Sequence, residues 1–396
     1  MADDSKALQE REHQRFGRIW NFLRPLAVPI IKRIFHYDCD DLRDVPGPYL
    51  LLSNHNADLD PALVGMSAWH QSYFVASEHL VRAGRLGDFL TKNFGLILHV
   101  KGKTAAGSAL GIMRTLKAGH NVILFPEGTR SFNGLTGYMS PATGKLARRS
   151  GASLVTFRLE GLYLTNPRWG KGIRKGRSYG HVVHVYSPAE LKAMTDAQVQ
   201  AAIERDLFED AYATQAARPG GPVAFKGENL AEGLESTLFC CPGCGRIGVA
   251  TTTGDEYRCD CGFHATYEAT GYLTCSDGQT RTVTQWDAYD RERLRELLAE
   301  AGDAPLFSDT LHIVEVDEAA NAQLREFDAK VSAYPQYIEV GDKRILADDL
   351  EGIAIIGRNH TVVHLTDGGK HYEVDGASAF SALKYLYLFD LWKKER

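Results

Sequence analysis

The chain has 396 residues, 44% of them hydrophobic and 24% charged, a balance that excludes disordered, collagen-like and mini-protein classes and leaves room for two or three domains. Its formal net charge of −5 hides an asymmetry: residues 1–220 hold 28 basic and 20 acidic side chains, a balance of +8, and residues 221–396 hold 17 and 30, a balance of −13. The first part is expected to face something anionic, whether a phosphate-bearing substrate, a membrane or nucleic acid.

The longest stretch free of Asp, Glu, Lys and Arg is the 17 residues Pro61–Ser77, short of the roughly 20 apolar residues that a spanning helix needs. The opening MADDSKALQERE lacks the basic-then-apolar layout of a signal peptide, so a cytoplasmic location is expected. Residues 1–44 read as an amphipathic segment. Within it Phe16, Ile19, Trp20, Leu23, Ala27, Ile30, Ile31, Ile34 and Phe35 recur at the spacing of one helical face, with Arg18, Arg24, Lys32 and Arg33 elsewhere. Pro25 and Pro29 predict kinks. Such a helix either packs on its own domain or lies in the plane of an anionic membrane surface.

From residue 45 to 215 apolar β-rich runs (Tyr49–Ser53, Tyr73–Ser77, Leu96–Val100, Asn121–Phe125, Ser153–Phe157, His181–Tyr186) alternate with helix-like stretches such as Thr104–Ala118, which stops at Gly119. Alternation of this kind predicts an α/β domain with a substantially parallel sheet, whose ligands sit beyond the carboxyl ends of strands. Residues 216–236 read as a linker.

The first strand runs into SNHNADLDP, which places His55 and Asp60 just past a strand end. The spacing alone is weak, because His36/Asp41 and His312/Asp317 share it. The context is distinctive: an apolar strand before His55, Asn54 beside it and Pro61 after Asp60. Asp60 fits a helix N-cap followed by proline, and a carboxylate fixed there can hold the Nδ1–H of a histidine, freeing Nε2 to take a proton from a hydroxyl. The strand Asn121–Phe125 likewise runs into Pro126-Glu127-Gly128-Thr129-Arg130-Ser131. Arg130 supplies a planar fork for phosphate, and the Gly128 and Thr129 amides add donors.

These two segments match the NHx4D and FPEG motifs of the glycerolipid acyltransferases typified by 1-acyl-sn-glycerol-3-phosphate acyltransferase. The order and separation fit, and YFVASEHL, Gly95–Lys101, Gly144 and Ala147 agree further, so that the chain resembles the family over about residues 45–190. The resemblance implies a glycerol-3-phosphate acyltransferase-like mixed α/β sheet with flanking helices. It implies His55 as general base, Asp60 as its orienter, and Glu127, Gly128 and Arg130 as acceptor-binding residues. Lys101 stands where the family usually places a phosphate-binding arginine, with Lys103 following, and Thr156 replaces a usual proline, with Arg158 added. Lysine keeps the charge and loses the forked geometry. Because a thioester donor is already activated, the chemistry needs no catalytic metal. Between Gly95 and His181 the sequence holds 14 basic residues against Glu127 and Glu160, as a rim for an anionic head group or donor would.

Residues 237–275 carry FCCPGCG and then YRCDCGF, giving Cys241-x2-Cys244 and Cys259-x-Cys261, each pair ending at a glycine. This resembles a zinc ribbon, with structural zinc held by Cys241, Cys244, Cys259 and Cys261 and with Cys240 or His264 as alternative ligands. The acidic surroundings disfavour nucleic acid. Residues 276–396 hold short β-like runs (Leu311–Val316, Tyr337–Val340, Ile353–Ile356, Thr361–Leu365, His371–Val374) and an amphipathic end, Ala377–Trp392, and loosely resemble a pleckstrin-homology-like module.

The expected protein is a peripheral O-acyltransferase on the inner face of the cell membrane, moving an acyl group from acyl-CoA or acyl-carrier protein to a lysophospholipid, with lysophosphatidic acid the leading acceptor. Glycerol 3-phosphate, another lysophospholipid or a glycolipid are alternative acceptors, and a non-catalytic membrane scaffold is the alternative from another class.

Overall fold

A computed structural model describes residues 2–77, 84–99, 106–317, 322–365, 369–377 and 380–394. The chain divides into two compact units, one of residues 1–167 and 173–225, the other of residues 168–172 and 226–396. The segment read as a linker straddles this division. Its part up to Phe225 belongs with the first unit, while Leu230, Ala231 and Leu234 are buried in the second.

In the first unit seven strands, β1 (Tyr37–Cys39), β2 (Tyr49–Ser53), β3 (Ser72–Ser77), β4 (Leu96–His99), β5 (Asn121–Leu124), β6 (Ser153–Glu160) and β7 (Ser178–Tyr186), form one sheet in the order β1-β7-β6-β2-β5-β3-β4. All neighbours pair parallel except β6 and β7. The central β2 shows why. Its YLLLS run is apolar throughout, and successive side chains point to opposite faces. Tyr49 and Leu51 enter one core and Leu50 and Leu52 the other, all fully buried. Both faces therefore need helices. On one side lie α1 (Ala2–Phe35), through Val28, Ile31 and Phe35, and α2 (Asp60–Ser67), through Leu63, Val64 and Met66. On the other lie α3 (Ala106–Lys117), α4 (Ala142–Arg149) and α5 (Asp196–Leu207), through Ile112, Leu116, Ala147, Val199 and Ile203. Gly144 has a steric reason: a Cβ there would lie 2.7 Å from the Gln200 backbone nitrogen, where α4 crosses α5.

In α1, Pro25 and Pro29 lie inside the helix. Its apolar residues form two rows. Phe16 and Phe35 are buried, while Phe22, Leu26, Ile30 and Ile34, four residues apart along one face, are 46–68% exposed. No helix of the described residues is long and apolar enough to cross a membrane.

The second unit has two antiparallel sheets. The first joins β8 (Ala250–Thr253), β9 (Glu256–Cys259), β10 (His264–Tyr267), β11 (Leu273–Cys275) and β12 (Thr280–Arg281) in sequence order. Helix α6 (Val283–Glu300) follows, opened by a reciprocal capping box between Thr282 and Gln285. The second sheet comprises β13 (Phe307–Asp317), β14 (Ala322–Ala333), β15 (Tyr337–Val340), β16 (Lys343–Leu346), β17 (Leu350–Ile356), β18 (His360–Leu365) and β19 (Lys370–Gly376), in the order β16-β15-β14-β13-β19-β18-β17. It is followed by α7 (Leu383–Lys394), whose buried Lys384 donates to Asp309 at 2.8 Å while the Tyr385 hydroxyl donates to the same carboxylate at 2.7 Å.

Candidate active site

Because β2 pairs in parallel with β5 and β6, Leu52 opposite Leu124 and Ser53 opposite Phe157, the loops that follow β2 and β5 leave the sheet at the same edge. The chain brings His55 and Asp60 together there: Nδ1 lies 2.9 Å from Asp60 Oδ2. The same oxygen accepts the backbone N–H groups of Asn56 at 2.5 Å and Ala57 at 2.9 Å. Asp60 is not the N-cap that its sequence context suggested. Leu59 holds that position and Asp60 is the first helical residue, so its fully buried carboxylate turns back onto the preceding loop instead of forward onto the helix. The histidine side chain is 20% exposed, and its ring lies 4.6 Å from that of Phe125. Asp60 holds Nδ1, and Nε2 remains as the nitrogen able to reach a substrate.

The loop itself is fixed by Asn54, which the sequence marked as the neighbour of His55, and by Glu209, which the sequence reading missed. Asn54 pairs with the backbone of Leu159 as another strand residue would, its Nδ2 donating to the Leu159 carbonyl at 2.9 Å and its Oδ1 accepting the Leu159 N–H at 2.7 Å. This extends the β2–β6 pairing by a side chain and pins the amide's orientation. The remaining Asn54 donor reaches Glu209 Oε2 at 3.2 Å, and the Asn56 amide reaches the same oxygen at 3.1 Å. Gly161 N–H donates to Oε1 at 3.3 Å. Burial pushes the Glu209 carboxyl up to about 8, against the pull of these donors. Glu209 also ties down the second loop, since its backbone carbonyl accepts the Thr136 N–H at 3.0 Å and its N–H donates to Thr136 Oγ1 at 2.8 Å.

Glu127 joins the two loops. Its Oε1 accepts the His55 N–H at 2.7 Å and its Oε2 the Gly137 N–H at 2.5 Å, and the Ser131 N–H returns a bond to the His55 carbonyl at 2.9 Å. Desolvation pushes this carboxyl up to about 8 as well, with the two N–H groups pulling it down. Gly128 needs its residue type, because its φ is 66°, a left-handed backbone that side chains disfavour, and its N–H closes a turn on the Phe125 carbonyl at 3.1 Å. Thr129 follows in the same loop. The Arg130 guanidinium, 11% exposed, sits 3.0 Å from Asp58, whose own side chain is 66% exposed. Thus Arg130 comes beside the loop that carries His55. Strand β4 ends at His99 on the same edge of the parallel sheet, but Lys101 and Lys103, which follow it, lie outside the described residues.

Comparison with known proteins then places this region. Residues 36–160 match the Acyltransferase family model. A solved structure similar to this chain is the 1-acyl-sn-glycerophosphate (LPA) acyltransferase PlsC from Thermotoga maritima, at 16% identity over 47% of this chain and 80% of that one, with a TM-score of 0.37. In the segment that matches this family, Thr156, where the resemblance predicts a proline, uses its hydroxyl: Oγ1 donates to the buried Asp206 at 2.9 Å, which also accepts the Tyr186 hydroxyl at 2.7 Å. The site edge of β6 is thereby joined to the end of α5. Arg158 forms an ion pair with Glu160 at 3.0 Å.

In the second unit the four predicted cysteines meet. The sulfurs of Cys241, Cys244, Cys259 and Cys261 all lie within 4.8 Å of one another, with Cys241–Cys261 at 3.7 Å and Cys244–Cys259 at 3.8 Å. A tetrahedron with metal–sulfur bonds of about 2.3 Å has edges of about 3.8 Å, so the donor set fits a zinc-sized ion. Each pair is bent by a glycine with left-handed backbone, Gly245 (φ 68°) and Gly262 (φ 94°). Cys240 is turned away, its thiol donating to the Gly245 carbonyl at 3.3 Å, and His264 Nδ1 lies 3.2 Å from the Gly262 carbonyl.

Proposed function

We propose that this chain is a glycerolipid O-acyltransferase, with lysophosphatidic acid as its leading acceptor and acyl-CoA or acyl-carrier protein as its donor. The observation that carries the reading is the His55–Asp60 pair at a strand end beside Arg130, inside a segment that matches the Acyltransferase family. In this mechanism His55 Nε2 removes the proton of the acceptor hydroxyl as its oxygen attacks the thioester carbonyl. Buried Asp60 holds the ring and offsets the charge of the imidazolium that forms. The tetrahedral intermediate collapses with cleavage of the carbon–sulfur bond, and the departing thiolate takes up the proton held by His55. Arg130 binds the acceptor phosphate, and Glu127 and Gly128 shape the loop around it.

The exposed row Phe22, Leu26, Ile30 and Ile34 supports an α1 that lies on an anionic bilayer at the inner face of the cell membrane, where both the acceptor and the acyl product reside. Cys241, Cys244, Cys259 and Cys261 are read as ligands of a structural zinc ion, which when bound ties two turns of the ribbon together. The four-strand and three-strand runs of β13–β19, followed by α7, support reading the end of the chain as a pleckstrin-homology-like module. The test of substrate class is acyl transfer by the purified chain to a panel of lysophosphatidic acid, glycerol 3-phosphate, lysophosphatidylcholine and a glycolipid, with each donor. Transfer to lysophosphatidic acid above the rest supports the reading, and transfer to none refutes it.

A further inference from the structure

The sheet β13–β19 curves around a space, open to solvent on one side, that its own side chains do not fill. Along β13, Leu311, Ile313 and Glu315 alternate onto the inner face, and the register sets Ile313 opposite Phe327 and Val374, and Glu315 opposite Arg325 and Tyr372. One end is closed by Phe380 and Tyr385, which are buried together with Leu311 and Ile313. Toward the other end the inward residues Phe327, Ile353, Val363, Tyr372 and Val374 are only half-buried. Between them lies a cavity of about 280 Å³. Cores of small β domains are normally packed to the density of organic crystals, and an apolar cavity of about 150 Å³ already stays dry and takes up apolar guests. This one is larger, is open to solvent, and is lined mainly by apolar side chains.

The polar residues that line the cavity are Arg325, Asp342, Lys343, Thr361, Tyr372 and Tyr385. Glu315, 6% exposed, pairs with Arg325 and, at 2.8 Å, with Lys370, and Lys343 Nζ lies 3.4 Å from the Tyr372 hydroxyl. Of the charged side chains that line the space, two are cations, Arg325 and Lys343, and one is a carboxylate, Asp342. A ligand matching this layout is apolar along its length and negative at one end.

We propose that this cavity binds one acyl chain bearing an anionic head, with the chain between the strands and the head against Arg325 and Lys343. The head group belongs either to a free fatty acid or to a single-chain phospholipid. The site lies wholly in the second unit and does not depend on the catalytic reading.

The experiment uses the full chain with dodecanoate, dodecyl lysophosphatidic acid, dodecanol and dodecyltrimethylammonium as probes, measured by calorimetry, and a diazirine-bearing fatty acid mapped by mass spectrometry after photolysis. The proposal expects saturable binding of an anionic probe, with the stronger of the two identifying the head group and with dodecyltrimethylammonium at least about tenfold weaker. Photolabel is expected between residues 307 and 385. Val363→Trp, which fills the cavity, lowers affinity at least about tenfold, and Arg325→Gln with Lys343→Gln weakens the anionic probe without weakening dodecanol. Photolabel confined to residues 1–225, or equal affinity for anionic and cationic probes, overturns the proposal. The labelling is done on the unaltered chain, so it decides the matter even where Val363→Trp fails to fold.

Discussion

Glu209 accepts the side-chain amide of Asn54 at 3.2 Å across 155 residues of sequence, and this bond links the loop that carries His55 to the end of α5. All three polar groups facing the Glu209 carboxylate, from Asn54, Asn56 and Gly161, are donors. A glutamine must present its own NH2 to one of them. Above pH 8, where the Glu209 carboxyl is ionised and accepts all three, Glu209→Gln is therefore expected to lower kcat roughly ten- to a hundredfold, the scale of a misplaced catalytic loop, while the acceptor KM moves less than about threefold. Steady-state kinetics on both parameters check this, and equal losses through KM alone contradict it. The same variant carries a pH signature. Burial raises the carboxyl to about 8 in the folded chain, against about 4.3 unfolded, so the folded state keeps a proton that the unfolded state releases between those values. That contribution is fully present below about pH 4.3 and is lost as pH rises through 8. Urea midpoints across that window should fall less steeply in Glu209→Gln than in the parent.

On the proposed reading, in which Arg130 binds the acceptor phosphate, Asp58, which meets Arg130 at 3.0 Å, competes with the acceptor. Since Asp58 is largely exposed, the pair is weak and screened. Asp58→Asn should lower KM for a phosphate-bearing acceptor roughly two- to fivefold and leave KM for an uncharged acceptor unchanged. An increase in the phosphate-bearing KM would show that Asp58 positions Arg130 instead of opposing the acceptor.

What was legible in the sequence was local or periodic. Runs such as Tyr49–Ser53 announce strands buried on both faces, and Cys241, Cys244, Cys259 and Cys261 announce themselves by spacing. His55 with Asp60 was legible as a pair, but not Asp60's geometry, because an acidic residue before proline fits either a cap or a side chain turned back onto its own loop. Glu209 was not legible at all: it reaches the site only through tertiary contacts with Asn54, Asn56 and Thr136. Strand β14 was hidden by its polarity, since most of AQLREFDAKVSA faces solvent. Helix α6 left a signal in its capping box, Thr282 with Gln285, that periodicity alone did not raise.

The cysteine cluster makes a separate prediction. Cys259→Ser should leave the purified chain without stoichiometric zinc by mass-spectrometric metal analysis. It should also lower the thermal midpoint of the second unit, because binding free energy at such a site is folding free energy. Zinc retained at one ion per chain in this variant would remove Cys259 from the ligand set.

The exposed row of α1 is tested by Phe22→Ser with Leu26→Ser and Ile30→Ser. Each buried apolar side chain contributes about 1.5–3 kcal/mol, so flotation with anionic liposomes should fall by at least about a hundredfold in partition coefficient. The solvent-facing substitutions should leave the melting profile in place. Undiminished flotation would mean that this row does not enter the bilayer.

The central claim, that His55 held by Asp60 is the general base of acyl transfer, meets its most direct measurement in the His55→Ala variant. The parent and the variant are compared for transfer of a radiolabelled acyl group from acyl-CoA to lysophosphatidic acid, with circular dichroism recording the fold of each. The account predicts a fall in kcat of about 10²- to 10⁴-fold with the thermal melt preserved. Full transfer by a folded His55→Ala chain would contradict it.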